Sequence, residues 1–176
     1  MSKVTTTGHQ IDQLSREELL ELVKIYAKNW LAHDGCWFLA MEEKRGMDEA
    51  IAVDRASWER FTVIEAKRLI EFLGLGKNSG IEGLRRALAF RLYASINEDE
   101  ITVAANTLTY RVKTCRVQAA RRAKGLKDFP CKTVGVVEYG LFAQTIDSRF
   151  ATECLSCPPE ITDQSSFCLW RFTLGN

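Results

Sequence analysis

The sequence predicts an α+β fold, in which an N-terminal helical half is followed by a C-terminal antiparallel sheet with packed helices. Between residues 15 and 97, apolar positions recur three and four residues apart between helix-capping signals. After residue 97, apolar and polar residues alternate, which is typical of half-buried strands. We expect a flexible N-terminus (1–14), a helical region (15–97) and a cysteine-rich α+β region (98–176), which together form one compact unit.

Capping signals place the helices along the first half. Ser15 and Glu18 fit a capping box, in which the serine hydroxyl accepts the Glu18 amide and the glutamate reaches back. The first helix is expected to end at Gly46. Its predicted apolar face comprises Leu19, Val23, Tyr26, Trp30, His33, Trp37 and Ala40. Three later signals predict further helix starts: Asp48, a capping box at 62–65 and a capping box at 79–82.

Alternation predicts the strands of the second half. Residues 107–113 alternate apolar and polar side chains, and 101–104 supply a hairpin partner. Two closing strands are expected at 150–155 and 167–174. Between these strand pairs we expect two helices, one over 116–124 and one from Asp128 through Ile146.

Composition narrows the location and the partners. No apolar run approaches the roughly 20 residues of a membrane helix, and residues 1–13 lack the apolar stretch of a secretory signal. A cytoplasmic protein with no membrane partner is therefore the expectation. The net charge is only +1, yet residues 111–132 hold eight basic residues against one acid. This segment could bind an anion or nucleic acid, but a surface that pairs with acidic neighbours is the favoured interpretation.

The cysteines carry the strongest chemical signal. Five of the six lie in the cysteine-rich region, where Cys154 and Cys157 form a C-x2-C pair before two prolines. Two thiolates at this spacing can hold one ion, and Cys168 with Cys115 or Cys131 could complete a zinc or iron–sulfur site. Inert structural cysteines and a reactive thiol remain alternatives.

Cys131 is the best candidate for a reactive thiol. It lies near a predicted helix N-terminus beside Lys132, and both features favour the thiolate. Glu138 follows seven residues later and shares the same helix face. A thiol and a carboxylate so placed could be nucleophile and base, a pair of ligands, or unrelated neighbours.

Polar residues also interrupt the apolar faces of the helical half. They are His33, Asp34, Asp54 and Glu65. Burying a carboxylate is costly unless it is paired, so each of the acids could have a structural partner such as Arg55 or Arg68. Together the four residues could instead form an acid–base pocket or bind a cation.

Several short motifs resemble an uncharacterised bacterial and archaeal family of cytosolic proteins. The likeness covers nearly the whole chain. It rests on the run at 115–118, Phe129-Pro130-Cys131-Lys132, Glu138-Tyr139, Cys154-Leu155-Ser156-Cys157-Pro158-Pro159 and Cys168-Leu169-Trp170-Arg171-Phe172. The resemblance implies a fold but no activity.

More distantly, the layout is similar to the L-2-amino-thiazoline-4-carboxylate hydrolase-like family. Cys131, Glu138, Arg149 and Cys168 fall at comparable places, whereas the C-x2-C-P-P segment departs from that pattern. The resemblance implies a hydrolase of a small metabolite, with Cys131 as nucleophile or ligand and Glu138 as base or orienting group. Arg149 would clamp a substrate carboxylate, which its planar fork suits.

Three functional hypotheses follow. The first is a cytosolic protein that binds or processes a small molecule at a cysteine-dependent site, hydrolysing a C–N or C–S bond if it is an enzyme. The second is a non-catalytic metal or iron–sulfur protein that uses the C-terminal cysteines. The third is a regulatory module with a basic anion-binding segment. The sequence contains no recognisable nucleic-acid reader, so a small-molecule ligand is the expected partner.

Overall fold

The computed structural model describes residues 10–176 and confirms the α+β prediction. Residues 1–9 of the expected flexible N-terminus lie outside the described part, and a short 3-10 turn at Gln10–Gln13 precedes the first helix. The elements are, in order, α1 (Arg16–Arg45), α2 (Met47–Leu73), α3 (Gly80–Leu88), β1 (Glu98–Ala104), β2 (Thr107–Thr114), α4 (Arg116–Ala123), α5 (Lys132–Ile146), β3 (Phe150–Ser156) and β4 (Cys168–Leu174).

The strands form one antiparallel sheet in the order β1-β2-β4-β3. The hairpin and the two closing strands therefore lie where alternation predicted them. Tyr110 pairs with Trp170 across β2 and β4, and Leu108 pairs with Phe172. All four side chains are buried, so this face of the sheet forms the floor of the core.

The helix α5 covers the buried face of the sheet, and α2 packs against α5. Phe142 and Ala143 of α5 are fully buried in this core, as is Ala66 of α2. A Cβ atom at Gly135 would lie 2.6 Å from the Trp170 ring. The glycine therefore permits the close approach of α5 to β4. A second buried cluster joins α1 and α2 near Phe38, Trp58 and their neighbours.

Two predictions about α2 are wrong. The helix runs without a break through the predicted capping box at 62–65, and Gly46 rather than Asp48 occupies its N-cap position. Thr62 is fully buried, and its Oγ1 donates a hydrogen bond to the carbonyl oxygen of Glu138 at 2.9 Å. Its hydroxyl thus joins α2 to α5 instead of starting a helix, a use that depends on tertiary packing.

The predicted face of α1 is also wrong. Ser15 and Glu18 form the expected capping box. However, Ala27 and Phe38 are buried, whereas Tyr26 and Trp37 are exposed. The buried stripe shares Trp30 with the predicted face but is otherwise rotated by about one residue. The face of α1 that contacts α2 carries Trp30, Leu31, Asp34 and Phe38.

The remaining helices differ from the predictions at their ends. The Ser79 hydroxyl does not cap α3 but donates to the Gly76 carbonyl, and α3 ends at Leu88, before Leu92. The helix α5 begins at Lys132 and not at Asp128. None of the helices within residues 10–176 is long and apolar enough to cross a membrane.

Candidate functional site

A cavity of about 650 Å³ lies between the helical half and the sheet. That volume is in the range of pockets for small organic molecules, roughly 300–1,000 Å³. Its walls are mostly apolar and come from α1, α2, α4, α5, β2 and β4, with the segments between them. The aromatic members of the wall are Trp30, Phe38, Trp58, Tyr93, Phe129, Tyr139 and Trp170.

Two kinds of reactive side chain reach this apolar wall. Three carboxylates line the cavity: Asp34 from α1, Asp54 from α2 and Glu138 from α5. The cysteines on the wall include Cys115, Cys131, Cys157 and Cys168. Tertiary structure therefore brings part of the predicted acid group and part of the predicted thiol group to the same cavity.

Beside the cavity lies a buried ion-pair cluster, formed by Glu65, Arg91 and Glu138. Arg91 Nη2 lies 2.9 Å from Glu65 Oε2, and Arg91 Nη1 lies 2.7 Å from Glu138 Oε1. The Tyr93 hydroxyl also donates to Glu138 Oε1. The guanidinium lies 4.7 Å from the ring centroid of Phe142, so π-electron density adds to its stabilisation.

Hydrogen bonds and one positive charge stabilise the buried carboxylates of the ion-pair cluster. Glu65 Oε1 accepts the backbone N–H of Leu92 at 2.9 Å, in addition to the two bonds from Arg91 to Oε2. Burial raises the pKa of Glu138, and the positive charge of Arg91 opposes that rise. The partner of Glu65 is therefore Arg91, since the residues expected from the sequence, Arg55 and Arg68, are exposed.

Asp34 and Asp54, which we call the acidic pair, lie on the cavity wall without such compensation. Burial, followed by the nearby charges of Asp34 and Glu138, raises the pKa of Asp54 to about 7. A hydrogen bond from the Trp58 side chain, one turn along α2, opposes this rise in pKa and is the smallest of the four effects. Burial also raises the pKa of Asp34, as does Glu138, while His33 lowers it. No ion pair reaches either aspartate from the described residues.

The predicted acid–base group is thus divided by the structure. Asp34 and Asp54 meet on the cavity wall, but Glu65 lies behind Arg91 and does not line it. His33 is exposed and also lies off the wall, although its charge reaches Asp34. Sequence reasoning missed Arg91, which follows α3 in an irregular segment. The available signal was that buried Glu65 needs a cation.

A cluster of thiols lies where α5 begins. Cys131 occupies the N-cap position of α5, and its Sγ lies 3.2 Å from Cys157 Sγ. The Lys132 amide donates to the Pro158 carbonyl at 3.0 Å, which holds the helix start against the C-x2-C-P-P turn. Hydrogen bonding to Cys157, aided by the charge of Lys132, lowers the pKa of Cys154.

The other two predicted metal ligands, Cys115 and Cys168, differ from Cys154 in the direction of their pKa shifts. Burial raises the pKa of Cys115 and that of Cys168, which favours the neutral thiols. Cys154 does not line the cavity. Within residues 10–176, no three His, Cys, Asp or Glu side chains are arranged to hold a metal ion. The zinc or iron–sulfur site stays a prediction.

The predicted catalytic group is only partly assembled. Cys131 and Glu138 both line the cavity, but no hydrogen bond joins them in the part of the chain that the structure describes. Glu138 is held instead by Arg91 and Tyr93. Arg149 lies off the cavity wall and pairs with Asp147, whose carboxylate it contacts at 2.9 Å.

The basic segment is largely neutralised by pairing. Within residues 111–132, five basic side chains form ion pairs with acids: Arg111, Lys113, Arg121, Arg122 and Lys132. Only the Arg121–Glu42 pair reaches the N-terminal helices, as the sequence interpretation expected for the segment. Most of the charge is balanced locally, which leaves little concentrated positive surface.

Fold and cavity together define a small α+β protein with an apolar pocket whose wall also carries carboxylates and thiols. The chain belongs to a family of unknown function (DUF6125), whose model matches residues 11–174. No curated protein and no solved structure matches it.

Proposed function

We propose that this protein binds a small organic molecule in the cavity and that a wall cysteine acts on that molecule. One observation carries the proposal: an apolar cavity of about 650 Å³ brings thiols and carboxylates from both halves of the chain together. Pockets with apolar walls and a few convergent polar groups are the usual sites of small-molecule binding. Cytosolic residence, expected from the sequence, suits a metabolite as the ligand.

The finer proposal is hydrolysis of a C–N or C–S bond, with Cys131 as nucleophile. Cys131 lies at the N-cap position of α5 on the cavity wall, from where its sulfur attacks the electrophilic carbon of the bound molecule. The departing nitrogen or sulfur takes the proton that the Cys131 thiol has lost, and water then hydrolyses the acyl or imidoyl group from the cysteine and restores the thiol. Glu138 retains the proposed role of base or orienting group, because its Oε2 accepts no hydrogen bond from the described residues.

Binding is tested with the uncharged dye N-phenyl-1-naphthylamine, whose fluorescence rises in apolar surroundings. We expect one dye per chain and saturable binding. The variant Gly35→Leu should weaken binding at least about tenfold, because Gly35 lines the cavity and its Cβ would enter open space. The matched control is Gly140→Leu on α5, which also has open space but lies off the wall. Equal binding by both variants would contradict the proposed site.

The thiol step is tested with a panel of small amides, amidines, thioesters and thioimidates, by following release of ammonia or thiol. We expect Cys131→Ser to lose at least about 100-fold of any turnover found. Cys154→Ser should retain it, because Cys154 lies outside the cavity wall. Full turnover by Cys131→Ser would remove Cys131 from the chemistry.

A second candidate is the metal or cluster protein, favoured by the approach of the Cys131 and Cys157 sulfurs to 3.2 Å. Metal analysis of protein purified without oxygen decides it. About one equivalent of zinc or iron, lost in Cys157→Ser, is the expected result for such a site. A wild-type protein that contains no zinc or iron, and whose stability equals that of Cys157→Ser, would rule out the metal or cluster site.

A further inference from the structure

The buried charges around the cavity do not balance. Three carboxylates are buried, those of Asp54, Glu65 and Glu138, and a fourth, that of Asp34, is half-buried. Arg91 is the buried cation beside them, and its guanidinium is already engaged by Glu65 and Glu138. All three guanidinium nitrogens of Arg91 donate to these two glutamates, and neither Asp34 nor Asp54 forms an ion pair among the described residues.

The other cations around the cavity do not supply that partner. Lys28, Arg116 and Lys124 are exposed at the edge of the wall. Arg121 is buried but binds Glu42 through both of its Nη atoms, at 2.6 and 2.9 Å. Among the described residues, none of these four forms an ion pair with Asp34 or Asp54.

Asp54 is the strongest evidence that a partner is missing. Its side chain is 7% exposed and faces the cavity, and among the described residues only the Trp58 side chain offers it a hydrogen bond, while no cation pairs with it. Buried carboxylates elsewhere in the chain are satisfied. Asp147, for example, accepts the Gly80 and Arg149 amides and the Arg149 guanidinium. A buried carboxylate without a counter-charge is costly, so its retention on the cavity wall indicates a ligand that supplies that charge.

Aromatic rings surround the same part of the cavity. Trp30 and Trp58 have ring centroids 5.8 Å apart, and Tyr93 lies 6.1 Å from Trp30 and 6.4 Å from Trp58. All three line the cavity. Ring faces attract cations, and their area accommodates an apolar body. The chemistry of the wall therefore complements a molecule that is both positively charged and largely apolar.

We propose that the ligand of this cavity is an organic cation, an ammonium or amidinium group on an apolar body, whose charged end binds the acidic pair. The assignment rests on the proposed small-molecule function and names its ligand class. The ammonium or amidinium N–H groups donate to Asp34 and Asp54, while the apolar body contacts the aromatic wall. A hard divalent ion is a poorer match, since it requires six or more oxygen ligands and this wall is aromatic and thiol-rich.

The test uses two ligands of matched shape, 2-phenylethylamine and propylbenzene. The first ends in an ammonium group, and the second has a methyl group at the same position. Each displaces N-phenyl-1-naphthylamine from the full chain at about pH 8, where an Asp54 carboxyl with a pKa of about 7 is mostly ionised. We expect the ammonium to bind at least about tenfold more tightly than the hydrocarbon. In Asp34→Asn and Asp54→Asn this preference, taken as the ratio of the two ligands' Kd values on the same variant, should fall about tenfold.

The control is Glu82→Gln, which removes an exposed carboxylate outside the cavity and should leave the preference intact. Dye binding in each variant shows that the cavity is still formed. If the dye binds but the wild-type chain prefers the hydrocarbon, or if both Asn variants keep the preference, the cation assignment is overturned while the proposed function survives. If neither the dye nor either ligand binds, both fail.

Discussion

The ion-pair cluster and the acidic pair treat buried carboxylates in opposite ways. In the ion-pair cluster, one guanidinium, a tyrosine hydroxyl and a backbone amide satisfy Glu65 and Glu138. In the acidic pair, Asp34 and Asp54 face an apolar cavity and form no ion pair within residues 10–176. The difference shows that the fold can neutralise buried acids but does not do so on the cavity wall. The first region has the contacts of a structural cluster, whereas the second is the one for which we propose ligand recognition.

The largest expected effect is the loss of the guanidinium from the ion-pair cluster. Arg91→Met leaves Glu65 and Glu138 buried without a counter-charge, so we expect the free energy of unfolding to fall by about 3–5 kcal/mol. Chemical denaturation measures it. Arg85→Met is the control, because its pair with Glu82 is exposed and its loss should leave stability nearly unchanged. Equal losses would contradict a structural role for Arg91.

The acidic pair should respond in the opposite direction. Because the folded state raises the pKa of Asp54 from 3.8 to about 7, the folded chain binds the proton more tightly than the unfolded chain. Stability therefore falls as pH rises between those two values. Other ionisable groups lie near Asp54, namely Asp34, Glu138, Arg91 and Tyr93. These groups are the same in the wild type and in an Asp54 variant, so their titration largely cancels when the two are compared.

We expect Asp54→Asn to raise the free energy of unfolding at about pH 8 by about 1–3 kcal/mol, because it removes an uncompensated charge. At about pH 4 the gain should largely vanish, since the wild-type carboxyl is then protonated in the folded state. Denaturation of both proteins across this pH range measures the difference. A variant that is less stable than wild type at the higher pH would show that Asp54 is paired within the chain.

A smaller effect is expected where the ion-pair cluster loses one hydrogen bond but keeps its charges. Tyr93→Phe removes the hydroxyl that donates to Glu138 Oε1, while Arg91 still binds the same oxygen. We expect a loss of about 1–2 kcal/mol in the free energy of unfolding. Thermal and chemical denaturation at neutral pH measure it, and a loss as large as that of Arg91→Met would contradict the dominance of the guanidinium.

Local signals predicted the frame of the fold better than its contacts. The capping box at Ser15 and the alternation around Tyr110 both depend on neighbouring residues, and both appear in the structure. The capping pattern at Thr62 failed because its hydroxyl binds α5, which no local signal could indicate. The face of α1 also shifted, since the position of α2 decides which of several apolar stripes is buried.

The candidate site followed the same division. Asp34 and Asp54 stood out because carboxylates on apolar helical faces are unusual, and the C-terminal thiols stood out by number. Which of them share a wall could not be predicted, because α1, α2 and α5 are distant in sequence and only tertiary packing brings them together. Arg91 was missed for the same reason, since it lies 26 residues from Glu65 and 47 from Glu138.

The sequence by itself determined that the chain forms helices followed by an antiparallel sheet, since the spacing of apolar residues and the helix caps act within a few residues. It also supplied unpaired acids and clustered thiols as candidates. Only the tertiary structure decided that Arg91 compensates Glu65 and Glu138 and leaves Asp34 and Asp54 open to the cavity. Charge compensation depends on distances between remote segments, and packing sets those distances.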